Sequence, residues 1–159
     1  MTHNILILNN VISYKQPVSV LVVVFLAQKG RYDVLILEKK AFPGFWQSVT
    51  GSRENGETLE ETASRELQEE TGIHPIQGVL CNWEIENIYD IYPRWRHRYA
   101  PGIMKNREHV FGFQLMEKPE LKLSLEHRAY QWLDWHKAAA KVFSPSNRQA
   151  ILLIPEYAH

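Results

Sequence analysis

Between Gly51 and Ile73 the chain reads GSRENGETLEETASRELQEETGI, a glycine-bearing turn followed by a run that stacks carboxylates on one helical face. Glu66, Glu69 and Glu70 stand at i, i+3 and i+4, so in a helix their side chains meet within one turn. Like charges placed that closely repel unless solvent or a cation separates them. A solvated acidic face is the ordinary outcome for a glutamate-rich run. A divalent ion is the other, and an all-oxygen donor set favours magnesium, with manganese as a substitute, over zinc, whose sites draw on His and Cys. Such an ion keeps positions open for water and phosphate, so the chemistry expected here is phosphoryl chemistry.

The same stretch makes local physical sense. Gly51 and Gly56 permit backbone geometry that side chains forbid, letting the loop curl close to the helix start. Thr58 and Glu61 form a capping-box pattern that starts the helix at about Leu59, and Gly72 is placed to stop it. Leu59, Ala63 and Leu67 recur at i, i+4 and i+8, an apolar stripe facing inward while the acids face a cleft. Arg65 is the residue expected to brace the carboxylates through its guanidinium fork, with a plain surface ion pair as the alternative.

A chain of 159 residues with 45% hydrophobic content suits one globular domain, 1–159, with 1–13 as an amino-terminal extension. The single cysteine, Cys81, excludes an internal disulfide and reads as a reduced, buried thiol. Val18 to Ala27, the longest nearly apolar run, is about half of what spans a bilayer, and no basic region precedes a hydrophobic leader. The expectation is a cytoplasmic protein without a membrane partner. Formal charge balances to zero, and no basic and aromatic stripe runs along the chain, so no nucleic-acid partner is expected. Locally, however, Gly51 to Ile73 carries seven acids and two bases, while Arg94 to Arg107 carries five bases and no acid. Arg94, Arg96, Arg98, Lys105 and Arg107 are therefore candidates for the flank of a triphosphate that the metal does not cover, or a solvated loop.

The remaining pattern is α+β, a mixed sheet flanked by helices. Val18 to Ala27 has the composition of a central strand buried on both faces, with Asp33 to Lys39 as its hairpin partner across Gln28–Arg31. Phe45 to Val49 leads into the acidic loop. Further strands are expected over Val79 to Tyr92, His109 to Met116 and Ala129 to Leu133, and a second helix over Ser146 to about Leu153, capped by Ser or Asn after Pro145. Ile5, Ile7 and Leu8 are candidates for an added edge strand.

Taken whole, the order Gly51, five residues, Glu57, seven residues, Arg65-Glu66-Leu67, one residue, Glu69-Glu70, one residue, Gly72-Ile73 satisfies every position of the Nudix box. The chain thus resembles the Nudix hydrolases, whose fold is a mixed sheet sandwiched between helices. Five more segments resemble one branch of that family, which hydrolyses dihydroneopterin triphosphate in bacterial folate synthesis: KQPVSVL from Lys15, FWQSVTGS from Phe45, RHRYAPG from Arg96, EHRAYQWL from Glu126 and SNRQAI from Ser146. Lys39 stands where that branch carries Arg, and the stretch between Cys81 and Arg96 is longer here.

The resemblance implies Glu66 and Glu70 as metal ligands, with Glu126 as a third carboxylate from outside the box. Glu126 or Glu69 is then the base that takes the proton of the attacking water, and Glu69 is alternatively a ligand to a second ion. Lys15, Lys39 and Thr50 line the mouth of the site, the lysines reaching phosphate and Thr50 offering a hydroxyl. Tyr89, Asp90, Ile91 and Tyr92 supply aromatic faces and an acceptor for a flat ring, or ordinary strand packing. Ser144 is a ligand contact or a helix-entry serine. The implied reaction is magnesium-dependent hydrolysis of dihydroneopterin triphosphate to the monophosphate and pyrophosphate. Its alternatives are a pyrophosphohydrolase of nucleoside triphosphates or dinucleoside polyphosphates, and a Nudix-derived ligand-sensing module, against which the intact acid set counts. Oligomeric state stays open.

Overall fold

The computed structural model describes residues 6–8 and 11–159, with side chains from Ser13 onward. Strands β1 (Leu6–Leu8) and β2 (Val11–Ser13) pair antiparallel in a small sheet of their own. The amino-terminal segment therefore closes on itself and adds no edge strand to the main sheet, while Ile5 lies outside the described residues. Strands β3 (Val18–Gln28) and β4 (Arg31–Lys39) form a hairpin whose loop residues, Lys29 and Gly30, have φ of 48° and 76°. Two positive values are what a two-residue turn matched to strand twist requires.

Beyond the hairpin, β5 (Trp46–Gln47) pairs with β4 and β6 (Val49–Ser52) returns beside β3. The helix α1 (Leu59–Thr71) follows, then β7 (Gly78–Asp90), β8 (Lys105–Leu115) and β9 (His127–Asp134). These complete a seven-stranded mixed sheet in which β8 runs parallel to β3 and the other pairs are antiparallel. Helices α2 (Trp135–Lys141), α3 (Pro145–Leu152) and α4 (Ile154–Tyr157) end the chain.

β3 organises the layers. Its residues Leu21, Val23 and Phe25 enter a core with Ala138 and Ala139 of α2, Ala150 and Ile151 of α3, and Ile154 of α4. The intervening Val20, Val22, Val24 and Leu26 enter a second core with Ala63 and Leu67 of α1 and with Phe111 and Phe113 of β8. Alternate side chains of one strand thus bury on opposite faces, which is why the run is apolar without alternation. Each such side chain contributes about 1.5–3 kcal/mol of burial free energy.

Helix α1 begins and ends as its sequence predicts. Thr58 Oγ1 accepts from the Glu61 N–H at 3.1 Å, Glu61 Oε1 accepts from the Thr58 N–H at 3.0 Å, and Gly72 closes the helix at φ 76°. The carboxy-terminal helices depart from expectation. The cap of α3 is Ser144, which accepts from the Asn147 N–H at 3.1 Å, so Pro145 falls in the first turn, where a missing N–H is harmless. α2 went unpredicted because seven residues, WHKAAAK, carry too little periodicity to announce a helix. In β7 the register shifts between Asn82 and Ile85, and Trp83 turns inward over Gly112 to stack on Tyr157 at 4.6 Å. Cys81 beside that bulge is half-buried, more open than the buried thiol expected. Among the described residues no helix is long and apolar enough to cross a membrane.

The two hydrogen bonds of the capping box are exposed. Thr58→Ala is expected to cost about 1 kcal/mol, lowering Tm by roughly 2–4 °C for a chain of this size, as thermal unfolding would measure.

Candidate active site

Strand β6 delivers the chain into the loop before α1, and Gly51 sits where the Glu66 side chain crosses it. A Cβ at position 51 would collide with the Glu66 carboxyl, so glycine is needed here for close approach. Gly56 is the residue that needs conformational freedom, at φ 82°. Glu66 and Glu70 are each only 2% exposed. Glu70 Oε2 accepts the Thr50 N–H at 3.2 Å. Burial, reinforced by the charges of Glu66 and Glu126, pushes the Glu70 carboxyl well above its usual range despite that hydrogen bond.

Arg65 holds the turn together from behind. Its Nε and Nη2 grip the two oxygens of Glu57 at 2.6 and 2.9 Å, Nη1 reaches Glu66 Oε1 at 2.7 Å and Glu69 Oε2 at 3.3 Å, and Nη2 also donates to the Ser52 carbonyl at 3.0 Å. The fork on Glu57 is bidentate, the strong geometry for arginine and carboxylate. It ties the loop to the helix and sets the orientation of Glu66.

Glu126 arrives from the loop before β9. That loop is pinned to the end of α1 by the Lys122 N–H on the Thr71 carbonyl at 2.8 Å and the Ser124 N–H on the Glu70 carbonyl at 3.3 Å. The Glu126 carbonyl in turn accepts the Lys40 N–H at 2.9 Å. Glu66, Glu70 and Glu126 all line one cavity of about 1190 Å³, whereas Glu69 and Arg65 do not. Among the described residues no carboxylates, imidazoles or thiols are drawn into a ready-made metal cage, and Glu66 Oε1 is turned onto Arg65. The donor set nevertheless fits a hard divalent cation. It is all oxygen, and a cation would relieve the repulsion that raises Glu70.

Cations face the acids across the cavity. Lys15, Lys39 and Arg98 line it, and burial, then the charges of Arg98 and Lys39, bring the Lys15 ammonium down to about 8. Burial also lowers Lys39, against the pull of Glu70 and Glu126, and its Nζ sits 5.1 Å from the Phe45 ring centre and 5.5 Å from that of Trp95. Two desolvated ammonium groups beside a charge-rich cleft suit an anionic ligand. The other four bases of the 94–107 run are engaged elsewhere. Arg94 stacks on Phe42 and Trp95, Arg96 donates to the Ile91 carbonyl at 3.2 Å, Lys105 pairs with Asp90 at 2.8 Å and Arg107 with Glu86 at 3.0 Å.

The other expected contacts divide. Thr50 lines the cavity, but its hydroxyl proton is given to the Val20 carbonyl at 2.9 Å and its N–H to Glu70, so it offers the site a hydroxyl lone pair and no donor. Tyr89, Asp90, Ile91 and Tyr92 all border the cavity. Ile91 is 4% exposed and packs as a core residue, and Asp90 is spent on Lys105 at the open edge. Ser144 both lines the cavity and caps α3. Missed at the sequence level are the rim aromatics Phe42, Phe45, Trp95 and Phe143, and a buried polar floor of Ser19, Asn106, Glu108 and Asn147. His127 also lines the cavity, and burial drives its imidazole down to about 4, leaving it neutral.

The Arg65 fork holds the Glu57 carboxyl at about 2, below its ordinary 4.5. A depressed carboxyl contributes stability that is complete above the unfolded value and is lost as pH falls through the folded one. The stability gap between the parent chain and Glu57→Gln is therefore expected to be full above about pH 4.5 and to close towards pH 2. Denaturant unfolding at stepped pH measures it, and a gap constant across that window would contradict the assignment.

Comparison with known proteins is consistent with this geometry. Residues 15–154 match the family model described as NUDIX domain. Over 142 residues the chain is 44% identical to the dihydroneopterin triphosphate diphosphatase of Escherichia coli K12, covering 87% of this chain and 91% of that protein. The Haemophilus influenzae protein of the same name is 38% identical over 142 residues, 87% of each. The solved structure of the E. coli dihydroneopterin triphosphate pyrophosphohydrolase superposes with a TM-score of 0.78, covering 87% of this chain and 94% of that one. With the box on its helix, the mixed sheet around it and a family match over nearly the whole chain, this protein belongs to the Nudix family.

Proposed function

We propose that this chain hydrolyses dihydroneopterin triphosphate to dihydroneopterin monophosphate and pyrophosphate, using magnesium, with manganese as a substitute. The observation that carries the reading is one cavity whose lining combines acids and cations suited to a triphosphate with aromatic rings suited to a flat heterocycle. Relatives at 44% and 38% identity that bear the corresponding name support it.

Glu66, Glu70 and Glu126 would hold the divalent cation, which when bound neutralises phosphate charge and makes water acidic enough to attack phosphorus. The chain's own groups do the rest. Lys15, Lys39 and Arg98 take the phosphate oxygens on the opposite flank, fixing the phosphorus in line with the incoming water. As the water oxygen bonds to phosphorus, its proton passes to a carboxylate, and the bridging oxygen leaves with its electron pair on the departing phosphate group. Glu126 is the better placed of the two candidate bases, because it lines the cavity while Glu69 faces Arg65 outside it. Phe42, Phe45, Trp95 and Tyr92 enclose the ring, and Thr50 and Ser144 border the phosphate path and the rim.

Purified protein assayed with magnesium is expected to show a clearly higher kcat/KM for dihydroneopterin triphosphate than for dATP, dGTP or a dinucleoside tetraphosphate. A nucleotide leading that panel would overturn the substrate assignment. Glu126→Gln is expected to lower kcat by about 10²–10⁴, the range for loss of a general base, and an unchanged kcat would remove Glu126 from that role.

A further inference from the structure

The cavity has a polar floor that the phosphate chemistry does not use. On β8, Asn106 and Glu108 project from the same face, two residues apart. Glu108 is 5% exposed yet borders the cavity. Its Oε1 accepts the Ser146 hydroxyl at 2.8 Å and the Asn87 amide at 3.4 Å, while Oε2 accepts no hydrogen bond from any described residue. The bases on either side in sequence are directed elsewhere, Arg107 to Glu86 and Lys105 to Asp90. Asn106 is 2% exposed and donates through Nδ2 to Ser19 Oγ at 2.7 Å and to the Tyr89 hydroxyl at 3.0 Å, leaving Oδ1 buried without a partner. Turned over, its amide would leave the amino end unmatched instead, so one end of Asn106 is open either way.

Buried polar groups are nearly always satisfied, so the unmatched end of Asn106, beside a Glu108 carboxylate that borders the cavity, points to a ligand. Burial raises the Glu108 carboxyl against its two hydrogen bonds, and N–H donors from a ligand would stabilise the ionised form. An ionised carboxylate can only accept, so the matching edge must carry donors. The 2-amino-4-oxo ring of a pterin presents such an edge, its amino group beside the ring N3–H, with a carbonyl next to them that Asn106 meets in its turned-over orientation, Nδ2 donating to it while Oδ1 accepts from the Ser19 and Tyr89 hydroxyls.

We propose that Glu108 is the specificity-determining residue that reads the amino and ring N–H edge of the pterin, with Asn106 taking the adjacent ring atom. The assignment rests on the substrate reading above and deepens it. It gives Glu108 the role that Asp90 was expected to hold, since Asp90 is exposed and bound to Lys105. Phosphates at the Lys15, Lys39 and Glu66 end and the ring at the Glu108 end place the whole substrate in the one cavity.

The test is a two-by-two comparison of direct binding, read by pterin fluorescence or calorimetry. Dihydroneopterin, which has no phosphates, is set against the same ring with its amino group replaced by a carbonyl, on the wild-type chain and on Glu108→Gln. Loss of a hydrogen bond to a charged group corresponds to about ten- to a hundredfold in affinity. The wild type is expected to prefer the amino ring by at least that factor, and Glu108→Gln to lose the preference, binding the two rings alike. A wild type indifferent to the amino group, or a folded Glu108→Gln that keeps the preference, would overturn the proposal. The ligand-side arm needs no variant, so it decides even if Glu108→Gln does not fold. Indifferent binding together with efficient turnover of dihydroneopterin triphosphate removes Glu108's role alone. A wild type that binds neither ring and prefers nucleotides removes the substrate reading and this inference together.

Discussion

Arg65 is the contact on which the site depends. Four acids lie within 4 Å of it, Glu54, Glu57, Glu66 and Glu69, and their mutual repulsion would by itself splay the turn. One guanidinium gathers Glu57, Glu66 and Glu69 and adds the Ser52 carbonyl, so that β6, the loop and α1 are joined through a single side chain. Gly51 then lets the Glu66 carboxyl lie directly on the loop backbone. The result is two buried carboxylates held on one face at a cost that Arg65 offsets for Glu66 and that a cation would offset for Glu70. Sites that keep such unfavourable charge do so for chemistry, because a hydrophobic pair would be the more stable choice.

The sheet positions everything else around that turn. β3 carries α1 on one face and α2 to α4 on the other, and its first residues, Val18 to Leu21, border β6 on one side and β8 on the other. The acids of α1, the lysines before β3 and at the end of β4, and the floor of β8 are therefore brought to one end of the sheet. A cavity of about 1190 Å³ opens there, lined by the acids, the lysines and the β8 floor together.

Legibility in the sequence followed the range of the interactions. α1 could be read to the residue because its cap, its stop and its apolar stripe are all local, within Thr58 to Gly72. β3 was readable because burial on both faces leaves an unbroken apolar run. α2 was not, being short, and the Ser144 cap was displaced by a proline whose place inside the first turn is equally allowed. Charge misled more than hydrophobicity. The five bases of 94–107 looked like one anion-binding flank, yet four of them are consumed by neighbours, leaving Arg98 in the cavity. Glu108 was invisible for the converse reason. Between Arg107 and His109 it reads as one more solvated charge, and its burial is imposed by Ser19 and Asn147 regions far away in sequence, through contacts such as Asn106 to Ser19 and Ser146 to Glu108.

The central claim is that the buried carboxylates of α1 gather a divalent cation that their own repulsion makes welcome. Calorimetric titration of magnesium or manganese into the folded chain, with a non-hydrolysable triphosphate present, tests it most directly when repeated on Glu70→Gln, which keeps the volume and an acceptor for the Thr50 N–H. The account predicts saturable uptake by the wild type and at least about tenfold weaker uptake by the variant, within the range found when metal-site partners are lost. A wild type that takes up neither ion, or a Glu70→Gln that binds as tightly as the parent, would contradict it.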